Sequence, residues 1–230
     1  MEAVIPKHLF VRRLAAGHRV LLLGGMAVIA HGRARHTKDF DLWLEPFSTA
    51  EEWSEKLITI LGDFPESYVW SLAQRRRLDH DEIAAEIEDF GVIRIGGLDL
   101  PVDVFRRPNE FQEADFEKVW SEASRMEDGL GLTSELHLYV SKINTGRSCD
   151  EDDIAFLEGL VKNRFTKRLP VCDLAEAEYM LERYTDPALL LHAKANPSPE
   201  VRELALKYLR EFAAEGDPYS RDILAEWKEV

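Results

Sequence analysis

Hydrophobic positions come in compact runs in the first half of the chain and recur at helical spacing in the second. Residues 8–16 predict a short helix with Gly17 placed to end it, and "HRVLLL" (18–23) has the length and density of a buried strand. Gly24-Gly25 breaks that strand, and "MAVIAHG" supplies the small and apolar residues of a helix packed on a sheet, with Gly32 as its stop. "KDFDLWLE" (38–45) alternates, so a strand here puts Phe40, Leu42 and Leu44 on one side and Asp39, Asp41 and Trp43 on the other. Pro46 ends it, and Ser48 is the predicted N-cap of a helix over "TAEEWSEKLITIL". Residues 66–90 are charge-rich and predict no single element. "GVIRIGGLDLPVDVF" (91–105) predicts a hairpin about Gly96-Gly97 in which Asp103 faces away from Val102 and Val104.

From about residue 113 the period is helical. In "TSELHLYVSKINTG", Leu136, Tyr139, Val140 and Ile143 fall on one helical face, with Thr133 or Ser134 as cap and Gly146 as stop. "DEDDIAFLEGLVKNRF" follows with Ile154, Leu157, Leu160 and Val161 on one face and acids in its first turn, where the helix dipole favours them. Shorter amphipathic segments separated by Pro187, Pro197 and Pro199 complete the chain, and residues 173–215 suggest a small helical-hairpin array without a constant period. The expected class is α+β: a mixed sheet flanked by helices over residues 1–130, then an all-helical part over 131–230, divided in "MEDGLGLTS".

Charge narrows the partners. With 43 acidic and 29 basic side chains the formal net charge is −14, which repels duplex DNA unless basic groups are concentrated locally. The basic clusters, Arg75-Arg76-Arg77 and Arg106-Arg107, are short and read first as a solvated helix end and a strand end. No apolar run reaches the roughly 18 residues of a membrane span, and the N-terminus lacks the pattern of a signal peptide, so a cytoplasmic protein is expected. Cys149 and Cys172 have no metal-ligand spacing and are expected as reduced thiols.

The candidate chemistry lies in three acids. If the strands of Asp39-x-Asp41 and Asp103 are neighbours, three carboxylates converge and repel one another, and a divalent cation with a preference for hard oxygen donors, Mg2+ or Mn2+, relieves that repulsion. The alternative is the solvent face of an edge strand. Gly24-Gly25 would let backbone N–H groups approach a phosphate, or serve only as a tight turn. Arg35, His36 and Thr37 directly precede the acids, where a cation and a hydroxyl would hold a triphosphate or brace the ligands, or lie on the surface. His31 and His36 are a further candidate metal pair.

These residues carry a resemblance. "LLLGGMAVIAHGRARHTKDFDLWLE", with a third acid in "VDVF", resembles the signature of the nucleotidyltransferase superfamily related to DNA polymerase beta. It is most similar to small bacterial and archaeal members, among them abortive-infection-type toxins. "YVSKINTGRSCDEDDIAFLEGL" matches their downstream helices, supplying Lys142, Gly146-Arg147, Asp150 and Asp153. Where relatives often have Gly-Ser the chain has Gly24-Gly25, and where many have Lys before the downstream aspartate it has Cys149. The resemblance implies a nucleotidyltransferase fold that moves a nucleoside monophosphate from a nucleoside triphosphate to an acceptor hydroxyl. It implies Asp39, Asp41 and Asp103 as catalytic metal ligands, and Gly24, Gly25, Arg35, Thr37, Lys142, Asp150 and Asp153 as nucleotide-binding. A tRNA end, a protein or a small molecule is the implied acceptor and an antitoxin a further partner. The competing expectations are a non-catalytic binding or regulatory module and a Mg2+-dependent phosphohydrolase or nuclease that uses the same acids.

Overall fold

A computed structural model describes residues 6–227, the side chain of Cys149 excepted, so the expectations for residues 1–5 and for that thiol lie outside the described residues. The chain forms two compact units, residues 1–154 and 155–230. The sequence-expected division at 130/131 falls inside the first of them.

The first unit is built on a mixed sheet of eight strands in the order β4-β3-β5-β6-β2-β1-β8-β7. They are β1 (Val20–Leu22), β2 (Phe40–Leu44), β3 (Tyr68–Ser71), β4 (Arg76–Leu78), β5 (Val92–Gly96), β6 (Val102–Phe105), β7 (Ser124–Arg125) and β8 (Gly131–Leu132). Its helices are α1 (Lys7–Ala15), α2 (Gly24–Ala30), α3 (Ala50–Leu61), α4 (Ile83–Phe90), α5 (Phe116–Glu122) and α6 (Glu135–Ile143), followed by the start of α7 (Ser148–Arg168). Pairs β1–β8 and β2–β6 are parallel and the remaining ladders antiparallel.

Alternation and register build the core. Ile93, Val104, Leu42 and Leu22 lie opposite one another across β5, β6, β2 and β1, each almost fully buried. Residues one position along on these strands point to the other face. There β2 divides: its end near Trp43 is apolar, with the indole packed on Phe111 and Phe116 at centroid distances of 5.3 Å and its Nε1 donating to the Arg106 carbonyl at 2.9 Å. Its beginning is acidic.

Several local expectations are corrected. Thr49, not Ser48, caps α3: its side chain accepts from the Glu52 N–H at 3.2 Å, while the Ser48 N–H donates to the Glu52 carboxylate. The ambiguous 66–90 segment is the β3–β4 hairpin followed by α4, with the turn closed by Arg75 at φ 57°. Two short strands, β7 and β8, interrupt the stretch expected to be helical. On α6 the buried positions are Leu136, His137, Leu138 and Lys142, whereas Ile143 is exposed. The helix is rotated because Lys142 finds carboxylate partners inside the first unit. Arg106, expected as part of a solvated strand end, is instead buried and donates to the Pro46 carbonyl and Glu113.

The second unit is helical: the rest of α7, α8 (Leu174–Arg183), α9 (Pro187–Leu190), α10 (Pro199–Glu215) and α11 (Pro218–Trp227). No helix among the described residues is long and apolar enough to cross a membrane. Asn196, 1 % exposed, ties the unit's turns together. Its Nδ2 donates to the Leu169 and Cys172 carbonyls at 2.7 and 2.9 Å, and its Oδ1 accepts from the Ser198 N–H. An Asn196→Ala change would strand two buried carbonyls, so urea denaturation is expected to show a loss of roughly 2–3 kcal/mol, against under 0.5 for an exposed control substitution.

Candidate functional site

Between α2, β2, β5, β6 and α6 lies a cleft of about 670 Å³, within the range of roughly 300–1,000 Å³ for ligand pockets. Its floor follows from strand register. Asp41 pairs with Asp103 across the parallel β2–β6 ladder, and Asp103 pairs with Arg94 across the antiparallel β5–β6 ladder. Directly opposed residues project from the same face, so Arg94, Asp103 and Asp41 form one row across three strands, with Asp39 two positions before Asp41 on that face. The convergence expected from the sequence is present, and Asp39, Asp41 and Asp103 all line the cleft.

Asp41 sits against Gly24, at φ +57°: a Cβ there would come within 1.7 Å of the Asp41 Oδ2. A Cβ on Gly25 would meet the Thr37 hydroxyl at 2.9 Å and the Arg35 guanidinium carbon at 3.2 Å. The glycine pair is therefore required by close approach of side chains as well as by backbone conformation. Thr37 in turn donates to the Asp39 carboxylate at 3.2 Å.

In the segment before β2 exposure alternates: Arg33, Arg35, Thr37 and Asp39 are part-buried, whereas Ala34, His36 and Lys38 are exposed, His36 and Lys38 still lining the cleft. Arg33 and Arg35 both bind Asp153, which is fully buried, and Lys142 Nζ reaches Asp150 at 2.7 Å and Asp153 at 3.1 Å. Thr145 and Arg147 donate to the other oxygen of Asp150 at 2.9 and 2.8 Å. Burial pushes the Asp150 carboxyl up, but hydrogen bonds from Lys142 and Thr145, with the charges of Lys142 and Arg147, outweigh it and hold it below its ordinary value. Gly24, Gly25, Arg35, Thr37, Lys142 and Asp150 line the cleft as Asp39 does; Asp153 stands behind that wall and holds its cations. His31 is not paired with His36: its Nε2 meets the Thr133 carbonyl at 2.8 Å, while His36 is exposed.

Asp41 differs from its neighbours. Among the described residues its side chain has no hydrogen-bond or ion-pair partner, and burial, reinforced by the charges of Asp39 and Asp103, pushes its carboxyl up to about 7. A partly buried carboxylate crowded by two others and lacking a cation is the donor set that a hard divalent ion suits. Among the described residues no three such ligands are gathered about one point, and Arg94 engages Asp103: Nε to Oδ1 at 2.6 Å and Nη2 to Oδ2 at 2.8 Å.

Sequence reasoning passed over Arg94. The signal was the hairpin: with Ile93 and Ile95 in the core, Arg94 must share the face of Asp103, and pairing about Gly96-Gly97 brings the two opposite. Arg33 was missed too, as a part-buried member of an alternation that shows only in the burial of the folded segment.

No protein-family model matches this chain, and no curated protein matches its sequence.

Two outcomes follow. In the metal-free protein above neutral pH, where the Asp41 carboxyl is ionised, Asp41→Asn is expected to raise stability by roughly 1–2 kcal/mol by removing a crowded charge. That gain vanishes as pH falls and the wild-type carboxyl takes its proton. Millimolar Mg2+ is expected to raise the melting temperature of the wild type but not of the variant. Gly24→Ala is expected to cost roughly 1–2 kcal/mol and, by displacing Asp41, to abolish the Mg2+-dependent shift in the same scan.

Proposed function

We propose that the protein is a Mg2+-dependent nucleotidyltransferase of the polymerase-beta-like type, moving a nucleoside monophosphate from a nucleoside triphosphate to an acceptor hydroxyl. The observation that carries this reading is the single row of Asp41 and Asp103 on adjacent parallel strands, with Asp39 beside them and Gly24 beneath. In the reaction the acceptor oxygen bonds to the α-phosphorus and the bond from that phosphorus to the bridging oxygen breaks. Pyrophosphate leaves, and the hydroxyl proton passes to water.

Asp39 and Asp41 would hold the divalent ion, which when bound supplies Lewis-acid charge to the triphosphate. Thr37 fixes the Asp39 carboxylate. The Gly24-Gly25 backbone leaves the acids room to approach, and Arg35, Lys142 and Arg147 present positive charge to phosphate oxygens from a wall whose geometry Asp150 and Asp153 set. Chemistry of this kind rests on positioning and charge stabilisation, so preformed ion pairs matter more than a nucleophile supplied by the protein. The acceptor is a tRNA end, a protein side chain or a small molecule; by the resemblance to abortive-infection toxins, an antitoxin is the partner this reading would add, in the cytoplasm.

One observation favours a second reading, a non-catalytic nucleotide-binding or regulatory module: Asp103 is engaged by Arg94, and Arg35 and Lys142 by aspartates. Turnover separates the two. Incubation with each nucleoside triphosphate, Mg2+ and a panel of tRNA, protein and small-molecule acceptors is expected to release pyrophosphate with one of them, with a loss of at least about 10³-fold in Asp39→Ala/Asp41→Ala. Equal release by both forms sinks the transferase reading, and nucleotide binding without release across tRNA, protein and small-molecule acceptors supports the module.

A further inference from the structure

The Arg94–Asp103 pair is fixed by the sheet. The two residues face each other across the β5–β6 ladder, so the guanidinium need not reach far, and its planar fork matches both carboxylate oxygens. The adjoining row on the same face is Val92, Phe105 and Trp43, paired across β5, β6 and β2, which makes the flank of the ion pair apolar. Asp103 is 6 % exposed. Its two oxygens are both committed, and releasing them would leave a buried carboxylate without its partner, a change that is strongly unfavourable. The same guanidinium comes within 3.7 Å of the Asp39 carboxylate, while its side chain, 31 % exposed, still lines the cleft.

Building on the transferase reading, we propose that this is a one-metal site in which Arg94, locked on Asp103, occupies the place of a second cation. Asp39 and Asp41 alone hold the divalent ion. Asp103 neither ligates a metal nor takes the acceptor's proton; it is a positioning residue that aims a permanent positive charge at the reacting phosphate. Arginine carries that charge at every working pH and needs no metal supply.

The test counts metal. Equilibrium dialysis against Mn2+ is run with a saturating triphosphate analogue whose α–β bridge is an imido nitrogen, subtracting what the analogue retains alone. The wild type is expected to retain about one Mn2+ per chain and Arg94→Ala, which frees Asp103, about two. Arg94→Lys, and Arg94→Ala combined with Asp103→Asn, are expected to return to about one. Circular dichroism confirms that each variant is folded. Two Mn2+ on the wild type, or one on folded Arg94→Ala, overturns the one-metal assignment and leaves the transferase reading standing. No Mn2+ retained by the wild type overturns both, so the two failures are told apart by the first measurement.

Discussion

The ladder between β2 and β6 sets Asp41 directly opposite Asp103, and the site depends on that pairing. Carboxylates so placed repel one another, and burial makes the repulsion worse by withdrawing the water that would screen it. A register slip of either strand by one residue would relieve it, but would also turn Leu42 or Val104 out of a core in which both are fully buried. Hydrophobic burial on one face of the sheet therefore holds an unfavourable electrostatic arrangement on the other. The two acids resolve it differently: Asp103 by a bidentate arginine from the next strand, Asp41 by no side-chain partner among the described residues.

Behind the acids the sign reverses. Asp153 is fully buried and binds cations from two separate segments, Arg33 and Arg35 before β2 and Lys142 on α6. An uncompensated charge at that depth would be costly on either side, so the segment, α6 and the first two turns of α7 are obliged to meet. This explains the rotation of α6 away from its most apolar face: Lys142 is drawn inward by two carboxylates, and Ile143 is left exposed as a consequence. The cationic wall is preformed, and the entropy of ordering its long side chains is met in folding rather than in binding.

Much of this was legible in the sequence, and what was not has a physical cause. Asp39 and Asp41 were placed on one face by alternation, and the β5–β6 hairpin by Gly96-Gly97; both features are local. The order of the strands, which makes β6 the neighbour of β2, is a long-range choice that no window of sequence contains. Arg94 follows from the hairpin once register is considered, yet polar residues on a strand face are usually solvent-facing and draw no notice. The helical face of α6 was misjudged because periodicity ranks apolar side chains and cannot see a lysine with buried partners. Strands β7 and β8 are two residues each, too short for any pattern to register.

Net charge is a poor guide to what such a cleft will accept. A chain of net charge −14 would be expected to repel a triphosphate, yet the cleft is lined by Arg35, Lys38, Arg94, Lys142 and Arg147 against Asp39, Asp41, Asp103 and Asp150. The acidic excess lies elsewhere in the sequence, and at physiological ionic strength its field decays over about 8 Å. Within the cleft Asp39, Asp41 and Asp103 lie together on the β2–β6 ladder with Arg94 beside them, while Arg35, Lys142 and Arg147, with Asp150, come from the loop before β2 and from α6 to α7. An anionic ligand lying along the cationic wall would present its end to the acids, where only a cation lets it stay. In the proposed reading that requirement, positive charge at the acids, would be shared between a metal on Asp39 and Asp41 and the Arg94 guanidinium that Asp103 already holds.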